Sequence, residues 1–159
     1  MKISPSAAKI VSRPRLVEIA SEWRRNGLTI VFTNGVFDIL HRGHLASLEA
    51  AAQYADRLVV GVNSDASARM LGKGSDRPIN REQDRATLIA GISVVDLVVI
   101  FDELTPWELL SELRPDTLAK GGDYQIEEIV GREFAGRVER IELVPGLSTT
   151  NLVEKIRQS

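Results

Sequence analysis

Thr33-Asn34-Gly35-Val36-Phe37-Asp38-Ile39-Leu40-His41-Arg42-Gly43-His44 is the stretch on which the reading of this chain turns. The β-branched apolar run Leu28-Thr29-Ile30-Val31-Phe32 precedes it and a helical pattern from Leu45 to Ala55 follows, so it reads as a strand, a tight turn and a helix start. The only two histidines of the chain stand here, at the mouth of the helix. Backbone N–H groups at a helix start point outward unpaired, and the helix dipole favours negative charge there. Gly35 and Gly43 let that backbone approach a ligand closely. Two imidazoles beside such a loop can donate hydrogen bonds to phosphate oxygens, which makes this a polyphosphate site. The bland alternative is a surface pair with no ligand. Neither G-x-G-x-x-G nor G-x-x-x-x-G-K-[ST] occurs, so the loop is neither a dinucleotide fingerprint nor a Walker loop.

The elements around it alternate. Pro14 opens a helix through Arg25, with Leu16, Val17, Ile19, Ala20 and Trp23 apolar, and Asn26-Gly27 closes it. After His44, the residues Leu45, Leu48, Ala51, Ala52 and Ala55 should face a sheet. Arg57 to Val62 reads as a second strand, covered on both faces. Asn63-Ser64-Asp65 ends it and caps a short helix. Leu71-Gly72-Lys73-Gly74-Ser75-Asp76-Arg77-Pro78 reads as a mobile basic loop. Asn80 should cap a helix from Arg81 to about Ile92. Val94 to Phe101, with Asp96 inside, is a third strand, and Asp102-Glu103 is expected as a helix-start pair before Thr105-Pro106. Asp116 to Lys120 is a fourth strand and Arg137 to Val144 a fifth, with a short helix near Ile126 to Val130 between them and a last helix from Ser148 to Arg157.

This order predicts the α/β class: a single Rossmann-like domain, a five-stranded parallel sheet with helices on both faces. Residues 1–27 read as a loose arm to residue 13 followed by a packing helix, and 28–159 as the main domain. Ligands of such sheets sit outside the carboxyl ends of the strands. The His41/His44 segment, Asn63 to Asp65, Lys120 to Asp123 and Ser148 to Thr150 all follow strands, which points to one shared pocket.

At 159 residues, with 43% hydrophobic and 26% charged side chains, the composition is that of an ordinary globule with one core. A net charge of −2 gives no electrostatic case for nucleic acid or membrane binding. The absence of cysteine excludes disulfides and thiolate chemistry, and with two histidines a built-in metal site is not expected. No signal-peptide core or membrane-length run is present, so a cytoplasmic location is expected.

The string G-x-F-D-x-x-H-x-G-H resembles the signature of the cytidylyltransferase-like nucleotidyltransferases. The words Thr33 to His41, Val62-Asn63-Ser64-Asp65-Ala66-Ser67, Arg77-Pro78-Ile79-Asn80, Lys120-Gly121-Gly122-Asp123-Tyr124 and Leu147-Ser148-Thr149-Thr150-Asn151 together resemble the bacterial D-glycero-β-D-manno-heptose 1-phosphate adenylyltransferases, from about residue 8 to the C-terminus. The resemblance implies transfer of AMP from ATP to that sugar phosphate, giving ADP-heptose and pyrophosphate for lipopolysaccharide. It implies His41, His44, Lys73 and Arg85 as the catalytic set. It implies nucleotide binding by Thr33, Asn34, Gly35, Phe37, Gly43, Lys120, Gly121, Gly122, Asp123, Ser148, Thr149 and Thr150. Acceptor binding falls to Asp38, Asn63, Asp65 and Arg77, with Mg²⁺ arriving with ATP. Asp38 keeps three readings: orienting the turn, binding acceptor hydroxyls, or standing near the metal.

Many relatives carry an arginine just upstream of the Ser-Thr-Thr segment. Here Glu142-Leu143-Val144-Pro145 has none, so Arg85 and Lys73 are the expected substitutes. The family often fuses this domain to a sugar kinase. None is found in these residues, so a separate kinase is expected, and a homodimer fits relatives that pair through this domain. Two further readings stay open: a glycerol 3-phosphate cytidylyltransferase, and a nucleotide-binding module without catalysis.

Overall fold

Side chains alternate across a strand, and the strand residues here are apolar in both directions. Such strands need helices on both faces. The computed structural model describes residues 6–159, and the first residues of the expected arm, 1–5, lie outside the described residues. Its strands are β1 (Ile30–Gly35), β2 (Arg57–Asn63), β3 (Leu97–Phe101), β4 (Thr117–Gly121) and β5 (Arg137–Ile141). They form one sheet, ordered β3-β2-β1-β4-β5 and parallel throughout, as expected. The helices are α1 (Ser6–Lys9), α2 (Arg13–Arg25), α3 (Arg42–Ala52), α4 (Asp65–Met70), α5 (Glu82–Ala90), α6 (Trp107–Leu113) and α7 (Thr149–Arg157). Short 3₁₀ turns at Ile126–Glu128 and Arg132–Phe134 follow β4.

Ile30, Phe32, Val59, Val99 and Leu118 pack on one face against α2 and α6 through Leu16, Ala20, Leu109 and Leu113. Val31, Leu58, Val60, Val98 and Ala119 pack on the other against α3 and α5 through Leu48, Ala51, Ala86 and Ile89. Among the described residues no helix is long and apolar enough to cross a membrane.

At the amino ends of the strands one device recurs. Asp56, Asp96 and Asp116 each stand immediately before a strand and accept the first free N–H beside the neighbouring one: Thr29 at 2.8 Å, Leu58 at 2.8 Å and Ile30 at 2.7 Å respectively. Asp96 therefore lies before β3 rather than inside it. Its carboxylate also holds Arg57 at 3.0 Å.

The carboxyl ends are arranged differently. β1 and β2 stay in register as far as Gly35 opposite Val62, whereas β1 meets β4 only at Val31–Thr117 and Phe32–Leu118. Beyond Phe32 the two strands part, which opens a crevice where the strand order reverses.

Several local expectations change. The arm from residue 6 is anchored: Ile10 bridges to Val98, Val11 N–H donates to the Val98 carbonyl and Lys9 Nζ to the Val95 carbonyl. This covers the otherwise open edge of β3. Leu45 is exposed, because α3 turns only Gly43, Leu48 and Ala51 fully inward. Glu103 does not start a helix; it binds Arg13 with both oxygens, at 2.6 and 2.8 Å.

Gly61 in the middle of β2 is set by Phe32. A Cβ there would stand 2.7 Å from Phe32 Cζ, and Phe32 is fully buried. Gly61→Ala should destabilise the protein by about 1–3 kcal/mol through overpacking, read as a lower urea midpoint at an unchanged m-value.

Candidate active site

The helix that follows β1 is capped by the two imidazoles. His41 is its N-cap, a position usually held by Ser, Thr, Asp or Asn. His41 Nδ1 accepts from Gly43 N–H at 3.1 Å, and His44 Nδ1 accepts from His41 N–H at 3.3 Å. The box is reciprocal, and the rings stack with centroids 4.0 Å apart. Because each Nδ1 is an acceptor, each neutral ring carries its proton on Nε2. Gly43 is needed for this arrangement: a Cβ there would lie 2.9 Å from the His41 ring. Burial lowers the His44 pKa to about 4, with help from the charges of His41 and Lys73, and burial also lowers that of His41. The pair is neutral at pH 7 and offers Nε2–H donors.

The crevice holds a cavity of about 640 Å³, and His41 and His44 line it. Thr33, Asn34, Gly35 and Phe37 from the end of β1 line it too, with Gly43, Asn63, Lys73, Arg77, Lys120, Gly121, Ser148, Thr149 and Thr150. Phe37 has a positive φ of 52°, the left-handed conformation that turns the chain over the end of β1, and its ring meets His44 edge-on at 5.5 Å. Lys120 is largely buried and its ammonium lies 3.5 Å from Asn34 Oδ1 across the crevice. Burial first, and the Lys73 charge second, lower its pKa. Ammonium groups held in a half-buried cleft away from carboxylates favour an anionic ligand.

The last helix supplies a second free helix start. Ser148 Oγ caps it by accepting from Asn151 N–H at 3.0 Å. Thr149 Oγ1 reaches the Ile39 carbonyl at 3.4 Å, and Leu147 packs beside Gly43, so the starts of α3 and α7 sit next to one another.

Asp38 is 4% exposed and lies on the cavity wall. It accepts from Arg77 Nε at 2.8 Å, Ile79 N–H at 2.8 Å and Asn80 N–H at 2.9 Å. Asn80 Nδ2 in turn donates to the Asp38 carbonyl at 2.6 Å. Asn80 therefore brackets the turn instead of capping α5, where Arg81 holds the N-cap position. Asp38 orients the end of the basic loop, and Arg77 is held through Nε. The far side of the loop is tied to α7 by Asp76 and Arg157 at 2.7 Å.

Arg85 is the main correction. It is fully buried and does not line the cavity. Its guanidinium donates to the carbonyls of Asn80 (2.9 Å), Val36 (2.5 Å) and Asn63 (2.8 Å) and to Asp65 Oδ1 (2.8 Å). Asp65, expected at the acceptor, is this arginine's ion-pair partner. Gly122 and Asp123 also stand outside the lining. The sequence reading missed Tyr124, Leu143 and Leu147, and the Leu104-Thr105-Pro106 and Glu128-Ile129-Val130 stretches. Position after β3 and β4 was the one available signal, and both stretches were read as helix ends.

A cytidylyltransferase-like family profile matches residues 32–155. The chain belongs to the cytidylyltransferase-like nucleotidyltransferases. It is 53% identical over 152 residues to the bifunctional protein HldE of Koribacter versatilis (strain Ellin345), covering 93% of this chain and 31% of that protein. It is 50% identical over 154 residues to bifunctional protein HldE of Wolinella succinogenes, covering 97% and 32%. The chain thus spans about a third of the length of these curated relatives. The crystal structure of the lipopolysaccharide core biosynthesis protein from Thermoplasma volcanium GSS1 aligns with a TM-score of 0.63 at 31% identity, over 74% of this chain and 98% of that one. Pantoate-beta-alanine ligase from Francisella tularensis shares the fold, with a TM-score of 0.61 at 15% identity over 94% of this chain and 79% of that one.

Arg85→Met should cost about 3–5 kcal/mol, because it leaves Asp65 unpaired beside three carbonyls, and urea denaturation measures it. A second expectation concerns acid. Between pH 6.5 and about 4 the unfolded chain takes up a proton at residue 44 that the folded chain refuses, so stability falls across that window and the effect levels off below it. His44→Gln should flatten that slope, and the His44 ring protons in NMR should titrate near pH 4 in the ligand-free protein.

Proposed function

We propose that the protein transfers AMP from ATP to D-glycero-β-D-manno-heptose 1-phosphate, releasing pyrophosphate and feeding ADP-heptose into envelope polysaccharide. The observation that carries this reading is the meeting of two helix starts, two Nε2–H donors, Lys73 and Lys120 on one cavity. That set suits a triphosphate. The heptose acceptor rests on the sequence words and on the similarity to the HldE proteins.

A phosphate oxygen of the acceptor attacks the α-phosphorus of ATP in line. The bond from that phosphorus to the α–β bridging oxygen breaks, and pyrophosphate leaves with the electron pair. No enzyme nucleophile takes part. His41 and His44 donate through Nε2–H to oxygens that gain charge as pyrophosphate departs. Lys73 and Lys120 neutralise the same charge, and Thr149, Thr150 and the free N–H groups of α7 hold the outer phosphates. Arg77 contributes its terminal nitrogens to the acceptor phosphate. Mg²⁺ enters as part of the substrate MgATP, held by phosphate oxygens and water; the one carboxylate beside the phosphates, Asp38, is already engaged by Arg77, Ile79 and Asn80. Arg85 acts through position, locking the Val36 turn, the end of β2 and the Asn80 bend in one geometry.

Purified protein with ATP, Mg²⁺ and the β-anomer of the heptose phosphate should release pyrophosphate much faster than with glycerol 3-phosphate or with CTP. A preference for CTP with glycerol 3-phosphate would overturn the acceptor and leave the phosphate site standing. His44→Ala should lower turnover by about 10²- to 10³-fold with the circular dichroism spectrum retained. A folded His44→Ala variant with normal turnover would remove His44 from the chemistry.

A further inference from the structure

The cavity is electrically uneven. Its cations stand around the starts of α3 and α7 and the end of β4. Two carboxylates line it: Asp38, engaged as described, and Glu128, which has no ion-pair partner among the described residues.

The backbone on either side of Glu128 is anchored, and its side chain is exposed at the cavity rim. Ile129 is buried in the core with Leu110 and Leu118. The left-handed Gly131 lets the chain press onto α6, where a Cβ would stand 2.3 Å from Leu110 Cδ1. Trp107 at the start of α6 donates Nε1–H to Glu133 at 2.7 Å and meets the Phe134 ring edge-on at 5.1 Å. The segment thus packs against α6. Leu104, Thr105, Pro106 and Val130 share the cavity wall with Glu128.

A carboxylate with no cation paired to it repels phosphate and accepts hydrogen bonds from neutral hydroxyls. Apolar side chains around it suit the carbon skeleton of a polyol. The geometry points to Glu128 as the residue that reads the hydroxyls of the acceptor, with Thr105 lining the same cavity, while the acceptor's phosphate lies at the cationic end. This inference rests on the proposed sugar-phosphate reading and deepens it. It makes Glu128 a specificity residue that takes no part in bond making.

The test is steady-state kinetics of wild type, Glu128→Gln and Glu128→Ala with heptose 1-phosphate, a deoxy analogue of it and glycerol 3-phosphate, at saturating MgATP and then with MgATP varied. The expected result is a rise in acceptor KM of about 10- to 100-fold in Glu128→Ala, the size of one lost hydrogen bond to a charged group. The rise in Glu128→Gln should be smaller, because the amide oxygen still accepts. The KM for ATP should stay within twofold, about the scatter of a residue outside its contacts. The preference of wild type for the full acceptor over its deoxy analogue should shrink in both variants. An unchanged acceptor KM, or a rise confined to the KM for ATP, overturns the inference; the latter would place Glu128 at the nucleotide ribose. If wild type prefers glycerol 3-phosphate, the heptose reading fails by itself, and Glu128 is judged on the KM for that acceptor.

Discussion

The Arg85 guanidinium ties three pieces of backbone together. The turn after β1, the end of β2 and the bend at Asn80 each give it a carbonyl, and Asp65 supplies the counter-charge. A buried charge must be fully paired and hydrogen-bonded to be tolerated, so the geometry of all four acceptors is fixed together. The same turn runs on through Phe37 and Asp38 to the His41 cap. Asp38 fastens the turn a second time, to Arg77 and Asn80. The turn that carries the two imidazoles is therefore fixed by Arg85 from behind the cavity and by Asp38 on its wall.

The fold was legible because its signals are local and repeated. Apolar runs of strand length alternate with helical patterns, and the parallel sheet follows from that order. The convergence of post-strand segments on one place was legible for the same reason, since carboxyl ends of parallel strands share one edge. His41, His44 and Ser148 could be read because each sits at a helix start. Arg85 could not. A sequence shows an arginine on a helix with charged neighbours, and only the third dimension shows that its side of the helix meets carbonyls. Asn80 looked like a cap for the same kind of reason: it precedes a helix, but its backbone N–H and side-chain amide both donate to Asp38 in a distant turn, and Arg81 holds the N-cap position. Glu128 and Thr105 carried only the weak signal of following β4 and β3, and both line the cavity.

The histidine cap joins two tasks that usually fall to different residues. An aspartate at the same position would satisfy the N–H groups but set a negative charge against phosphate. A serine would satisfy them and leave nothing to donate outward. An imidazole accepts from the helix on one nitrogen and donates to the ligand with the other, and its burial keeps it neutral while it does so. Stacking the two rings places both outward nitrogens side by side.

The aspartates before β2, β3 and β4 stand at the opposite ends of the strands from the cations of the cavity. Asp56, Asp96 and Asp116 line one edge of the sheet, while Lys73, Lys120 and Arg77 gather at the opposite edge. Arg57 answers Asp96 at the one edge and Asp38 answers Arg77 at the other, while Lys73 and Lys120 have no ion-pair partner among the described residues. Those two charges act on an anion only within roughly one Debye length, about 8–10 Å at physiological salt, so they hold what has already reached the cavity and do little at a distance.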